Sequence, residues 1–343
     1  MSDNQDMREN QEQQTCQENE TEEVKNPAGE MFRNKKPVEW PDTWKKRVLV
    51  PEKFYTPAEE QGTLHRIRYI SRKYYIKGFP AYEKEAMIYL PYGYEKDGNK
   101  RKYNILYLLH GSGGSHESYM GTETEPKQLK HMADHMIQEK IIEPMIFVMP
   151  TFTGEGMAEY RAGALTFYIE LVYDLIPAVE SRYRTFLEEM TAEGIRTSRE
   201  HRAFGGFSLG SVAGWTVFSE APGTAKYYLN MCGDCWEFEP FGGRECPEET
   251  AAFLSDAAIR SGYSKEDYCI FTAAGTEDSA YEVLPPQVAE MKKHPEAFVY
   301  TENDFRDGNL IYYLAEGHKH SYGYTCEYIF NCLPLFFPAD SGE

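Results

Sequence analysis

Residues 201–218 read His201-Arg202-Ala203-Phe204-Gly205-Gly206-Phe207-Ser208-Leu209-Gly210-Ser211-Val212-Ala213-Gly214-Trp215-Thr216-Val217-Phe218. The stretch opens as a short strand-type run and closes with helix-type spacing, and between them Gly206-Phe207-Ser208-Leu209-Gly210 fits G-x-S-x-G. A serine in that pattern sits on a tight strand-to-helix turn, whose flanking positions must be glycine because larger side chains would collide. The turn pushes the hydroxyl into the open. As a bare pattern the pentapeptide is weak evidence. The strand before it and the helix after it, with small residues near their crossing, make Ser208 a candidate nucleophile.

Upstream, the apolar run Ile105-Leu106-Tyr107-Leu108-Leu109 leads directly into His110-Gly111-Ser112-Gly113-Gly114. Acyl transfer needs two N–H groups aimed at the developing oxyanion, and a glycine-rich loop after a strand lets the backbone approach that atom. The expected donors are the amides of Leu209 and Ser112, with Gly111 as the fallback and a substrate-facing position. Downstream, Ala273-Ala274-Gly275-Thr276-Glu277-Asp278 ends another apolar run on a turn with a carboxylate, and Asp278 is the expected acid. Glu316-Gly317-His318-Lys319-His320 follows the run at 310–314, so the order serine, acid, histidine is that of α/β-hydrolases. Both His318 and His320 could be the base, and this reading alone leaves the pair open. A base histidine implies loss of activity on acidification, below roughly pH 6 to 7.

Metal readings carry less. His318-Lys319-His320 has a chelating alternation but no third ligand nearby in sequence, and His131 and His135 lack the glutamate of H-E-x-x-H, so a packed or solvated helix face is expected there. Cys232-Gly233-Asp234-Cys235 has no second pair, and its thiols read as structural. No cofactor and no metal is expected, and activity should withstand EDTA.

The remaining runs frame the site. Continuous apolar stretches at 105–109, 145–149, 203–206, 227–231 and 268–274 suit parallel strands buried on both faces, and the alternation at 64–70 and 85–90 suits antiparallel strands at one edge. Helical spacing covers 126–139, 165–181, 209–220, 285–293 and 324–336, with a kink or a fresh helical start expected at Pro177. The fold class is α/β, a mostly parallel sheet flanked by helices.

The 343 residues carry a formal charge of -19, with 41% apolar and 14% aromatic residues, a composition that can bury a core and that disfavours nucleic acid and anionic membrane surfaces as partners. A small-molecule or oligosaccharide ester is the expected partner, and oligomeric state is not encoded. Residues 1–30 are rich in Gln and Glu and read as a disordered acidic tail, 31–44 as a lead-in, 45–338 as one domain and 339–343 as a short tail. The seven cysteines form no compact disulfide framework. No run of eighteen uninterrupted apolar residues occurs, and Met1 onward lacks the features of a secretory leader, so a cytoplasmic location is expected.

Taken together, Ile88-Tyr89-Leu90-Pro91-Tyr92-Gly93-Tyr94, Leu106 to Gly111, Glu170-Leu171-Val172-Tyr173-Asp174-Leu175-Ile176-Pro177, Gly233-Asp234-Cys235-Trp236 and Gly275-Thr276-Glu277-Asp278 resemble the esterase D-like branch of carbohydrate esterase family 1, which contains feruloyl and acetyl xylan esterases. The resemblance spans most of the chain after the tail. It implies a histidine base fourteen residues before the proline of a C-terminal L-P-x-F-F, here Pro334, and so favours His320 with His318 as fallback. It also implies a serine esterase releasing ferulic or a related hydroxycinnamic acid from xylan fragments, with imported feruloylated oligosaccharides expected in the absence of a leader. Acetyl xylan, siderophore or S-formylglutathione ester hydrolysis, sugar acyl transfer, and an inactive binding module are the rival readings. Asp234 and Trp236 follow a central strand at the edge where α/β folds bind ligands and are expected to contact substrate, Trp236 as a wall for an aromatic acyl group; 237–264 is long enough to form a rim or lid.

Overall fold

The computed structural model describes residues 43–96, 100–152, 154 and 156–337. The acidic tail at 1–30, most of the lead-in and the tail at 339–343 lie outside the described residues.

Eight strands form one sheet in the order β1-β2-β4-β3-β5-β6-β7-β8: β1 (Thr63–Arg72), β2 (Ala81–Leu90), β3 (Asn104–Leu109), β4 (Met145–Met149), β5 (Arg202–Phe207), β6 (Tyr227–Met231), β7 (Cys269–Glu277) and β8 (Leu310–Lys319). β1 pairs antiparallel with β2 and β2 antiparallel with β4; all later pairs are parallel. The patterning accounts for this. β4 and β6 are buried at every position, whereas β1 alternates buried with exposed or half-exposed residues.

Helices α1 (Gln128–Gln138), α2 (Met157–Glu180), α3 (Leu209–Glu220), α4 (Pro247–Arg260), α5 (Leu284–Met291) and α6 (Tyr322–Cys332) cover the sheet. α3 is buried from Leu209 to Ser219, between the strands and α2. It comes so close to β6 that a side chain at Gly214 would meet the Asn230 amide oxygen at 2.0 Å.

Helix α2 differs from expectation at its start. It begins at Met157 rather than 165, because its first turns are half-exposed and carry no apolar stripe. At Pro177 the chain makes the fresh helical start: a π-helical turn over Leu171–Leu175 gives way to α-helix from Ile176, with the Ile176 amide reaching back to the Leu171 carbonyl. That wider turn makes room for a ring that brings no N–H. By length and composition α2 could cross a membrane, yet half of its apolar window is buried against the protein. Its Glu170 accepts from Lys84 and Tyr69, and its Asp174 from Ser71 and Tyr74, so it is tied to β1 and β2.

Residues just before 45 also pack on the domain. Trp44 is buried, its amide donates to the Tyr312 carbonyl at 2.8 Å, and the Leu314 amide donates to Thr43 Oγ1 at 2.8 Å. These residues cover the open edge of β8, where unpaired backbone groups would otherwise face solvent.

Candidate active site

β5 ends at Phe207, and Ser208 follows at φ +57°, a conformation that non-glycine residues rarely adopt. The glycines around it are sterically required. A Cβ on Gly206 would stand 2.4 Å from Gly210 backbone, and one on Gly210 would stand 2.1 Å from the Leu109 carbonyl oxygen. Ser208 is half-buried, and its amide donates to the Met231 carbonyl at 2.8 Å. Leu209 opens α3, so its amide is one of those a helix leaves without an internal acceptor.

The loop after β3 lies against this turn: a Cβ on Gly111 would come within 3.0 Å of Ser208 Cβ. The Gly111 amide is already committed, donating to the Tyr322 hydroxyl at 2.9 Å. Gly111 is therefore a spacer, and among the described residues the Ser112 amide has no acceptor. His110 braces the loop. Its Nδ1 pairs with the Gly111 carbonyl at 2.7 Å, and its Nε2 accepts from the Phe152 amide at 3.2 Å and meets Thr151 Oγ1 at 2.7 Å. Accepting from an amide at Nε2 places the proton on Nδ1, and burial pushes this imidazole down to about 4 despite the Gly111 contact.

Asp278 and His320 meet. Asp278 caps a short turn after β7, with Oδ1 accepting from the Ala280 amide at 2.6 Å and from His320 Nδ1 at 2.8 Å. Its side chain is fully buried, while that of His320 is one-third exposed. Neighbouring Glu277 is exposed and pairs with Lys319. The His320 ring packs on Phe207, the residue before Ser208, at 4.5 Å between centroids, which brings the Asp278–His320 pair to the end of β5 where the elbow turns.

His318 faces elsewhere. It is buried, and its Nε2 pairs with Glu327 at 3.1 Å. Burial alone would raise the Glu327 carboxyl, but hydrogen bonds from His318, Arg47 and Tyr313 outweigh it and hold the group at about 2. The alternation along β8, two residues per repeat, is interrupted near Gly317 at φ +75°, which lets the two histidines serve different neighbourhoods.

Asp234 does not present a free carboxylate to a ligand. Its oxygens accept from Trp236 Nε1 at 2.7 Å and the Gly243 amide at 2.7 Å, and burial raises it to about 6 against those two bonds. It anchors Trp236, which is buried edge-on to Phe241 at 5.0 Å, with its carbonyl held by Arg161. Residues 237–264 are largely helical, with α4 packed by one face and Phe238 exposed at the start.

His131 and His135 are buried on α1, His135 stacked on Phe54 at 4.8 Å, in keeping with a packed helix face. Cys232 and Cys235 are buried free thiols. Cys232 nevertheless lies beside the site: its Sγ, an Asp278 oxygen and a His320 nitrogen all fall within 4.8 Å of one another. Sequence reasoning took Cys232 as a structural thiol and passed over Tyr322. The only available signals were that one follows the end of β6 and the other follows His320 by two residues.

No protein-family profile matches the chain. Among solved structures, a serine-to-alanine mutant of the feruloyl esterase module from Clostridium thermocellum, complexed with sinapinate, superposes with a TM-score of 0.73 at 33% identity, covering 88% of this chain and 97% of that one. The chain belongs to the feruloyl esterases of carbohydrate esterase family 1. This feruloyl esterase-family chain is also 37% identical over 287 residues to endo-1,4-beta-xylanase Y of Acetivibrio thermocellus, matching 84% of this chain and 24% of that protein. An endo-1,4-beta-xylanase/feruloyl esterase of Xylanibacter ruminicola is 28% identical over 204 residues, matching 53% of this chain and 27% of the other. The chain spans about a quarter of the length of these curated relatives.

Proposed function

We propose that this chain hydrolyses esters of ferulic or related hydroxycinnamic acids on xylan fragments through an acyl-enzyme at Ser208. The observation that carries the reading is the 2.8 Å contact between His320 Nδ1 and Asp278, which leaves Nε2 as the nitrogen able to take the Ser208 proton. Ser208 Oγ then attacks the ester carbonyl, and the amides of Ser112 and Leu209 stabilise the oxyanion. The imidazolium, held by Asp278, returns its proton to the departing sugar oxygen. Water repeats the sequence and frees the acid.

The aromatic acyl group is supported by the relatives' names and by Trp236, whose ring Asp234 holds by its indole N–H. A panel of methyl ferulate, methyl p-coumarate, 4-nitrophenyl acetate and feruloylated or acetylated xylo-oligosaccharides tests it. Hydroxycinnamoyl esters should be turned over fastest, and Ser208→Ala should reduce that turnover by at least about 10⁴-fold. Preferred cleavage of acetyl esters would overturn the acyl assignment, and turnover surviving in Ser208→Ala would overturn the mechanism.

A further inference from the structure

Only one of the two carboxylate oxygens of Asp278 is accounted for. Oδ1 takes both the Ala280 amide and His320, whereas Oδ2 is buried with no hydrogen-bond partner among the described residues. A bare carboxylate oxygen in a dry site is costly, so a donor of some kind is called for. The Tyr328 and Tyr312 hydroxyls are also buried without a hydrogen-bond partner of normal geometry among the described residues, and Tyr328 interacts with the Cys232 thiol.

Cys232 stands where such a donor would be. Its Sγ is within 4.8 Å of the Asp278 and His320 atoms. It directly follows β6 at φ +56°, beside Ser208 at φ +57° directly after β5, so two neighbouring strands both end on a strained non-glycine residue. Glycine would hold that backbone without strain, and strain of this kind gathers where a side chain must be aimed. The titratable groups facing the thiol are Asp278 after β7, His320 after β8, Tyr328 on α6, Tyr312 on β8 and Tyr119 after β3. Burial first, and the Asp278 charge second, raise the thiol well above its ordinary value, so it is present as S–H and can donate.

We propose that Cys232 is a positioning residue of the esterase site, its S–H donating to Asp278 Oδ2 with the Tyr328 hydroxyl behind the sulfur, so that the carboxylate plane is set for Oδ1 to meet His320. The proposal rests on the Ser208-His320-Asp278 reading above. Loss of the thiol would leave Asp278 free to turn and more strongly basic, which would raise the proton affinity of His320.

The test is kcat/KM for methyl ferulate as a function of pH in Cys232→Gly, Cys232→Ser and Asp278→Asn. Cys232→Gly suits the backbone and removes the donor. It should lower kcat by about tenfold, the order expected for one hydrogen bond to a charged group, and move the acidic limb to higher pH. Cys232→Ser keeps a donor and should restore both. A Cys232→Gly enzyme with the wild-type rate and limb overturns the proposal. Should the glycine variant fail to fold, Tyr328→Phe, which keeps the ring, should still move the limb upward, and an unmoved limb there overturns it as well. Asp278→Asn separates the two readings. Activity retained in Asp278→Asn defeats the triad itself, whereas activity lost there but intact in Cys232→Gly defeats only the role of the thiol.

Discussion

The two ends of the parallel sheet handle buried charge in opposite ways. At the amino end, Arg202 opens β5 and is almost fully buried, and its N–H donors find Glu180 at 2.7 and 3.0 Å, the Ile195 and Thr224 carbonyls, and Ser198. Glu180 in turn accepts from Tyr107 and Thr185. At the carboxyl end, one oxygen of Asp278 is bare, its imidazole partner reaches solvent, and Ser208 and Cys232 hold strained backbone. A saturated network holds its members in one arrangement, whereas a carboxylate bonded on one side to an imidazole that reaches solvent can serve proton transfer. Cavity size would mislead here. A cavity of about 530 Å³ lies at the amino end, lined by Arg101, Phe186, His201 and Lys226, away from Ser208.

The sharpest way to break the contrast is between the two histidines. His320→Ala should lower kcat for methyl ferulate by at least about 10³-fold, while His318→Ala should leave kcat within a few-fold and lower the melting temperature, because it empties a buried pair with Glu327. The reverse pattern would move the base to His318. At the amino end, Arg202→Leu strands Glu180 as a buried lone charge. It should cost about 3–5 kcal/mol in urea denaturation with kcat of the folded enzyme unchanged, and a fall in kcat without loss of stability would refute a purely structural role there.

A third measurement concerns His110, held neutral at the active end. The unfolded chain binds that proton near 6.5 and the folded chain only near 4. Between those values the unfolded state carries more protons, so the stability present above pH 6.5 is lost as pH falls through 4, by about 3 kcal/mol. His110→Gln should flatten that part of the stability–pH curve, and a slope equal to wild type would show that His110 is not the group responsible. The smallest effect is expected from Tyr322→Phe, which frees the Gly111 amide and should reduce kcat by about three- to tenfold, the order of one neutral hydrogen bond. No change would show that the loop keeps its shape without that contact.

Ser208, Asp278 and His320 were legible because each lies on a short local pattern whose chain order carries meaning: a glycine-flanked turn, a strand ending in a carboxylate, a histidine before the last helix. The family resemblance, and not the local pattern, separated His320 from His318. Asp234 was legible as a residue at the ligand edge but not as the anchor of Trp236, since its second partner, Gly243, is set by the return of the following loop. The start of α2 escaped because half-exposed turns leave no hydrophobic period, and the packing of Thr43 and Trp44 on β8 escaped because their partners lie some 270 residues away.

By itself the sequence determined the strands, the elbow and the order of the three candidate catalytic side chains, because turn chemistry and apolar spacing act over a few residues. Tertiary structure alone decided that the Tyr322 hydroxyl takes the Gly111 amide, that Glu327 takes His318, and that Cys232 stands beside Asp278 and His320. Those outcomes depend on strand order and on helix ends arriving from remote parts of the chain, and contacts of that kind have no local period to reveal them.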